Sequence, residues 1–269
     1  RGRLQTMRPS KLKQLLLWEL HDTWAFPFAE ILIIGFFSQT LSVTFIQYGA
    51  LGKGLSPTGV DIMMFMTLLR MEYPVIIFCT LIPAKVFGEC IEKRKVHIPL
   101  MAGASRSELF VSKLIATLLL IWIVQLGSLI IEAVLNQMFA FPFAVAIWIS
   151  ILIGVLMFSL FVCSFSILIA VFLRRFSLAV LTSIGFLLIM NYWALHMPLE
   201  NLVGYSSPLR STLVLGEAIY IPLAKAMVDA HVYPQYPPPI QCFSITYLLL
   251  LPLVFMLAAA LVFKVIDLD

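Results

Sequence analysis

The sequence predicts an all-α polytopic membrane protein, with six transmembrane helices, an N-terminal interfacial helix and a broken helical cap before the sixth helix. Apolar residues make up 61% of the chain and charged residues only 12%, whereas a soluble domain is about half apolar and about a quarter charged. The apolar residues form runs of about 20, the length that a helix needs to cross a hydrocarbon core of about 30 Å. These runs lack the alternation of barrel strands, so helices are predicted.

The N-terminal residues 1–24 are predicted to be cytoplasmic and to include a helix lying in the membrane interface. Residues 11–24 mix leucine and tryptophan with charged side chains such as Glu19 and Asp22, a pattern that suits an interfacial helix. Pro27 follows where the chain must turn into the bilayer. The alternative is a simple cytoplasmic extension of the first span.

The six predicted spans belong to a single transmembrane domain, residues 25–269. They are Ala25–Tyr48, Leu68–Val86, Leu114–Leu135, Phe143–Leu173, Phe176–Leu195 and Phe243–Val265. Pro74 and Pro83 are expected to kink the second span.

The distribution of Lys and Arg predicts the orientation. These residues concentrate before the first span, between the second and third, and between the fourth and fifth, so the positive-inside rule places both termini in the cytoplasm. The net charge of +4 is therefore a topology signal, and no nucleic-acid partner is predicted.

An external cap is predicted between the fifth and sixth spans, residues 196–241. Its moderately apolar stretch contains Arg210, Glu217 and Lys225, charges that are costly at the centre of a bilayer. Two short interfacial or re-entrant helices therefore fit better than a seventh span. A stiff proline-rich strut, residues 234–239, is expected to lead into the sixth span. A loose external loop is the alternative.

The segment between the second and third spans, residues 87–113, carries the most specific local pattern. Ser105 and Glu108 fit the S-x-x-E capping box, so a short helix is predicted to begin there. Ahead of it, residues 97–101 form an apolar knuckle among charges on the water side, where an exposed patch usually marks a partner. The alternative is that the charges only solvate a loop and hold the topology.

These residues resemble the membrane subunit of ABC-2-type exporters. That family typically shows a glutamate-containing end of the second span, a basic stretch, a Pro or small-residue turn, an S-R-x-E-like element and a lysine. The matching residues here are Glu89, Glu92, Lys93 to Lys95, Pro99, Gly103, Ser105, Arg106, Glu108 and Lys113. The layout of interfacial helix, six spans and broken segment also matches. One departure is that basic residues replace the small residue and threonine that often follow the family's glutamates.

The resemblance implies a plasma-membrane permease that exports a substrate by alternating access, paired with a second permease copy or a homologous permease. A separate cytoplasmic ABC ATPase would drive it, gripping residues 87–113, which we call the coupling segment. The residues expected to couple the ATPase are Glu89, Glu92, His97, Pro99, Met101, Ser105, Arg106 and Glu108. The sequence contains no G-x-x-x-x-G-K-[ST] phosphate loop, so ATP and Mg are expected to bind the partner and the chain itself is not expected to be an enzyme.

A transport pathway is predicted between two permease copies, bordered by a polar face of the first span, by the kinked second span and, as the resemblance implies, by the fifth span. Its candidate residues are Thr40, Thr44, Gln47 and Glu72. The same residue types also mediate helix packing, and the sequence does not identify the substrate.

Two other classes of protein compete with the exporter. Ion-coupled secondary transporters usually place acidic residues near the bilayer midplane, whereas Glu30, Glu72, Glu89 and Glu132 lie towards the ends of the predicted spans. A membrane-embedded enzyme needs a nucleophile with a base, paired carboxylates or metal ligands at one depth. The sequence has neither an HExxH nor a GxSxG motif, and its scattered cysteines and histidines predict no metal site.

Overall fold

The computed structural model describes residues 9–24, 72–138, 145–196 and 238–266, together with a few residues of the first predicted span, 30, 33–35, 37, 38 and 41. Every regular element in these ranges is helical, and they contain no strand. In chain order they are α1 (Pro9–Thr23), α2 (Glu72–Pro83), a π-helical turn (Ala84–Glu89), α3 (Cys90–Glu92), α4 (His97–Met101), α5 (Arg106–Met138), α6 (Val145–Leu173), α7 (Phe176–His196) and α8 (Pro238–Val265). The predicted all-helical class is confirmed for the described part.

Two helices of the described part are long and apolar enough to cross a membrane, Arg106–Leu135 within α5 and Val155–Leu173 within α6. Shorter apolar stretches occur at Phe176–Ile189 in α7 and Leu250–Val265 in α8. Helices α2, α5, α6, α7 and α8 coincide with five of the six predicted apolar segments. Most of the first segment, and residues 197–237 of the predicted cap, lie outside the described residues.

Helix α6 lies at the centre of the described helices and packs on α2, α5, α7 and α8. Its buried side chains include Val162, Cys163 and Ile167, and its residues are apolar around the whole circumference, as expected for an enclosed helix. The buried serines of α6 find hydrogen-bond partners nearby. The Ser166 hydroxyl donates to the Thr80 hydroxyl on α2 at 3.3 Å, which avoids the cost of an unpaired buried hydroxyl.

The capping box does not begin a separate short helix, contrary to the prediction. Helix α5 starts at Arg106 and continues without a break to Met138, so the capping box is the N-terminus of the third predicted span. No proline interrupts these residues, and the charged side chains of Glu108 and Lys113 are both buried against partners, Ser105 and Glu19 respectively. The coupling segment is therefore joined to the apolar part of α5 by continuous helix.

The prediction of a proline-rich strut over residues 234–239 is also wrong at the C-terminal end of that stretch. Pro238 and Pro239 are the first two residues of α8. Proline is tolerated in the first turn of a helix because its missing amide hydrogen would have no partner there, and its fixed φ already suits the helix.

The second predicted span changes its helical geometry at Pro83. This proline is the last residue of α2, and the π-helical turn Ala84–Glu89 follows directly. Proline cannot donate to the carbonyl four residues earlier, and a π-helical turn, in which each amide bonds five residues back, lets the helix continue. Proline and π-turns are the usual causes of helix kinks, so the irregularity lies at Pro83, one of the two prolines named in the prediction, while Pro74 lies in the first turn of α2.

Candidate functional site

Two hydrogen-bonded turns hold the short helix α4 at its ends. Before it, the Lys95 amide donates to the Cys90 carbonyl at 2.9 Å and the Arg94 amide to the Ile91 carbonyl at 3.1 Å. This pair of bonds is a Schellman turn, and Arg94 occupies its left-handed position with a φ of 56°.

A second turn of the same kind follows α4. The Ala104 amide donates to the Pro99 carbonyl and the Gly103 amide to the Leu100 carbonyl, both at 3.0 Å. Gly103 has a φ of 84°, a conformation that glycine adopts without steric cost. The apolar knuckle is therefore a fixed helical turn rather than a loose loop.

Helix α4 exposes two large apolar side chains. Ile98 is 61% exposed and Met101 is 81% exposed, and their spacing of three residues puts them on one face of the helix. Pro99 and Val96 are buried beneath them, and His97 is half-buried. An exposed apolar pair on a rigid support is a suitable docking surface for another protein.

The capping box predicted at Ser105 and Glu108 is confirmed in both directions. The Glu108 amide donates to Oγ of Ser105 at 3.2 Å, and the Ser105 amide donates to Oε2 of Glu108 at 2.8 Å. The Ser105 hydroxyl also donates to this oxygen, at 2.9 Å. Glu108 is buried, so its carboxylate fixes the start of α5 and does not lie on the docking surface.

Replacing Glu108 with Ala is expected to destabilise the start of α5 by about 1 kcal/mol, because the Ser105 amide loses its acceptor. Hydrogen exchange of the amides at residues 105–109 should accelerate, while exchange in α7 stays unchanged. Ser107→Ala serves as the control, since Ser107 is exposed. Equal exchange in the two variants would contradict the assigned role of the capping box.

Arg106 ties the coupling segment to the C-terminus of α8. Its Nη1 donates to the Lys264 carbonyl at 2.9 Å and to the Ile266 carbonyl at 2.7 Å. The last carbonyls of a helix have no partner within it and carry a partial negative charge, so a guanidinium is favourable there. Arg106 therefore links the start of α5 to the end of the last predicted span.

The two glutamates at the end of the second predicted span have different partners. Oε1 of Glu89 accepts from Lys93 at 2.6 Å in an exposed ion pair, which contributes little to stability. Oε2 of Glu92 instead accepts from the Phe176 amide at 2.9 Å, satisfying the first amide of α7. Glu92 thereby joins α3 to the turn between α6 and α7.

A buried ion pair between α1 and α5 was not predicted from the sequence. Nζ of Lys113 lies 2.8 Å from Oε2 of Glu19, and both side chains are at most 2% exposed. The Lys113 ammonium also lies 5.9 Å from the centre of the Trp18 ring, within range of a cation–π interaction. A second and more exposed pair, Lys95 with Asp22 at 3.6 Å, joins the same helix to the coupling segment.

The position of Glu19 corrects the interpretation of the N-terminal helix. Glu19 is one of the charged residues from which an interfacial helix was predicted, but it is buried, whereas the apolar residues Leu17 and Trp18 are exposed. Burial raises the pKa of the Glu19 carboxyl, and the Lys113 ammonium acts in the opposite direction. The sequence did hold a signal, because Glu19 lies four residues after Leu15 and four before Thr23, on the side of the helix that faces α5.

An aromatic cluster joins the two ends of the coupling segment to α8. The rings of Phe87, Phe110 and Phe263 have centroid separations of 5.5, 6.4 and 5.6 Å, and all three side chains are buried. They come from the π-helical turn, α5 and α8 respectively. Close-packed aromatic rings transmit displacement because the interior has little free volume.

The predicted pathway is mostly outside the described residues. Thr40, Thr44 and Gln47 all fall there, and Glu72 is the first residue of α2. The described part contains no group of three or more histidine, cysteine, aspartate or glutamate side chains that could hold a metal ion.

Comparison with known proteins gives no family assignment. No family model matches the chain, and no curated protein matches it in sequence.

Proposed function

We propose that this chain is the permease subunit of an ATP-driven ABC exporter, and that a separate cytoplasmic ATPase docks on α4. The observation that carries the proposal is the exposed pair Ile98 and Met101 on a helix held by a hydrogen-bonded turn at each end. An apolar pair of this kind is costly to leave in water and gains free energy when a partner covers it.

The contacts around α4 support a mechanical role for this surface. The second turn leads directly into the capping box and α5, a single helix of 33 residues. Arg106 extends the connection to α8, Glu92 to α7, and Lys113 to α1. A displacement of α4 would therefore reach four other helices through hydrogen bonds and ion pairs.

The transport pathway and the membrane topology complete the proposal. The protein would lie in the plasma membrane with six spans and both termini in the cytoplasm. Helix α4 would then be on the cytoplasmic side, where ATP is available. A second permease copy, or a homologous permease, would close the pathway around Thr40, Thr44, Gln47 and Glu72. The ATPase would bind ATP and Mg, and its closure would drive alternating access through α4.

Co-expression with an ABC ATPase from the same organism tests the proposal. Proteoliposomes that contain both proteins are expected to hydrolyse ATP at a rate that depends on the permease, and to retain the ATPase after washing. The ATPase mixed with empty liposomes is the control. Retention and hydrolysis that are the same with and without the permease would contradict the proposal.

A further inference from the structure

The α6–α7 turn and the α3–α4 turn bring four basic side chains to one end of the helices. Helix α6 ends at Leu173 and α7 begins at Phe176, so Arg174 and Arg175 form the whole connection. The hydrogen bond from the Phe176 amide to Glu92 places this connection beside Lys93 and Arg94. Gly88 packs against it as well, since a Cβ on Gly88 would lie 3.5 Å from the Arg175 carbonyl oxygen.

The four basic side chains outnumber the carboxylates near them. Lys93, Arg94, Arg174 and Arg175 are exposed, and the neighbouring acidic residues are Glu89 and Glu92. Glu89 pairs with Lys93, and Glu92 accepts from a backbone amide. Within the described part of the chain, the three arginines make no ion pair. Among the described residues, these four basic side chains and the two glutamates sum to a charge of +2, and the guanidinium groups can form bidentate hydrogen bonds to a phosphate.

Two of the arginines occupy backbone positions that favour glycine. Arg94 has a φ of 56° and Arg174 a φ of 57°. The Arg174 amide donates to the Ala170 carbonyl at 3.0 Å, which makes it the left-handed residue that ends α6. A side chain in this conformation is strained relative to glycine. The presence of arginine at both positions therefore has no explanation in the backbone and points to a use for the side chain.

The patch adjoins an apolar surface of the kind that lipid covers. Phe172, two residues before Arg174, is 68% exposed, and Leu181 on α7 is 72% exposed. Within the described residues, Val155–Leu173 is one of two helices apolar enough to cross a membrane, so the arginines follow directly where its apolar stretch ends. A lipid molecule at this boundary would place its acyl chains along Phe172 and Leu181 and its headgroup among the arginines.

We propose that Arg94, Arg174 and Arg175, with Lys93, form a binding site for the phosphate headgroup of an anionic phospholipid. The proposal depends on α6 crossing a membrane and not on the ATP-driven function proposed above. A lipid held here would bridge the α3–α4 turn and the α6–α7 turn, which Glu92 already connects.

The test compares lipid binding to purified protein in neutral detergent by native mass spectrometry. Phosphatidylglycerol, phosphatidylcholine and soluble glycerol phosphate are the probes. The parent protein is expected to retain phosphatidylglycerol at concentrations where phosphatidylcholine does not bind. The double variant Arg94→Gly with Arg174→Gly should bind phosphatidylglycerol about tenfold more weakly. Its melting temperature in neutral detergent should equal or exceed that of the parent, because glycine relieves the strained conformation at both positions.

Two further variants keep the test decisive. Arg175→Gln should weaken phosphatidylglycerol binding about fivefold. This expected loss does not depend on relief of backbone strain, unlike the result for the glycine variant. Lys13→Gln with Lys264→Gln removes two exposed positive charges elsewhere and should bind like the parent.

Equal binding of the two lipids, unchanged binding by the glycine variant, or an equal loss in the lysine control would each overturn the proposal. Competition by glycerol phosphate at the concentration of the lipid would identify a site for free phosphate and overturn the lipid assignment.

Discussion

Replacing Lys113 with Met is expected to destabilise the protein by about 3–5 kcal/mol, the loss typical of a buried charge left without its partner. Glu19 would remain in the interior, where only 1% of its side chain is exposed. Its Oε1 already has no hydrogen-bond partner among the described residues, so the carboxylate depends on Lys113. Thermal unfolding in detergent, with chemical denaturation for the free energy, measures the change.

The pH dependence of the Lys113→Met variant follows from the same burial. Burial raises the pKa of Glu19, and the variant removes the ammonium that opposes this shift. Between the unfolded value of about 4.3 and the raised folded value, the folded state holds more protons than the unfolded state, so stability falls as the pH rises. The defect of the variant is therefore expected to shrink when the pH is lowered from about 8 to about 5.

Two controls separate the buried pair from general effects. Lys95→Met removes the exposed partner of Asp22 in the other ion pair of α1 and should change stability by about 1 kcal/mol or less, with no comparable pH dependence. Glu19→Met combined with Lys113→Met removes both charges and should recover most of the loss. A loss below about 1 kcal/mol for Lys113→Met alone would show that Glu19 is solvated, contrary to the structure.

Replacing both Ile98 and Met101 with Glu is expected to reduce permease-dependent ATP hydrolysis about tenfold or more while leaving stability nearly unchanged. Both side chains are largely exposed, so the substitutions disturb no internal packing, and surface changes of this kind usually alter stability by about 0.5 kcal/mol or less. An apolar contact with the ATPase would instead have to bury two carboxylates, which is strongly unfavourable. Hydrolysis in proteoliposomes and the melting temperature in detergent are the two measurements.

The matched control for this variant adds the same charge elsewhere. Gln14→Glu with Ser177→Glu places two new carboxylates on exposed positions of α1 and α7. This variant should hydrolyse ATP at the parental rate. Normal hydrolysis by the Ile98 and Met101 variant, or an equal loss in the control, would remove the docking role assigned to α4.

Periodicity and local motifs predicted the helices well because both depend on residues close together in sequence. The capping box formed as Ser105 and Glu108 indicated, and the fifth predicted span begins at Phe176 as expected. Contacts between distant residues could not be predicted in this way. The bonds from Arg106 to the end of α8 and from Phe176 to Glu92 join residues far apart in the chain, and their geometry depends on how the helices pack.

Glu19 shows why a charged residue alone is a poor guide to exposure. Glutamate is rarely buried unless it is paired, so a single sequence favours the solvated side of an amphipathic helix. The partner that reverses this expectation, Lys113, lies 94 residues away. The left-handed arginines were missed for a related reason, since glycine is the residue that a sequence pattern associates with such turns.

Photo-crosslinking from Met101 tests the central claim most directly. A photoreactive amino acid at this position, in membranes that contain the co-expressed ATPase, should crosslink to the ATPase, and nucleotide should change the yield. The same group at Leu181, which is 72% exposed on α7, should crosslink to lipid and not to the ATPase. Crosslinks from Met101 to lipid alone, at a yield that nucleotide does not alter, would contradict the assignment of α4 as the ATPase docking surface.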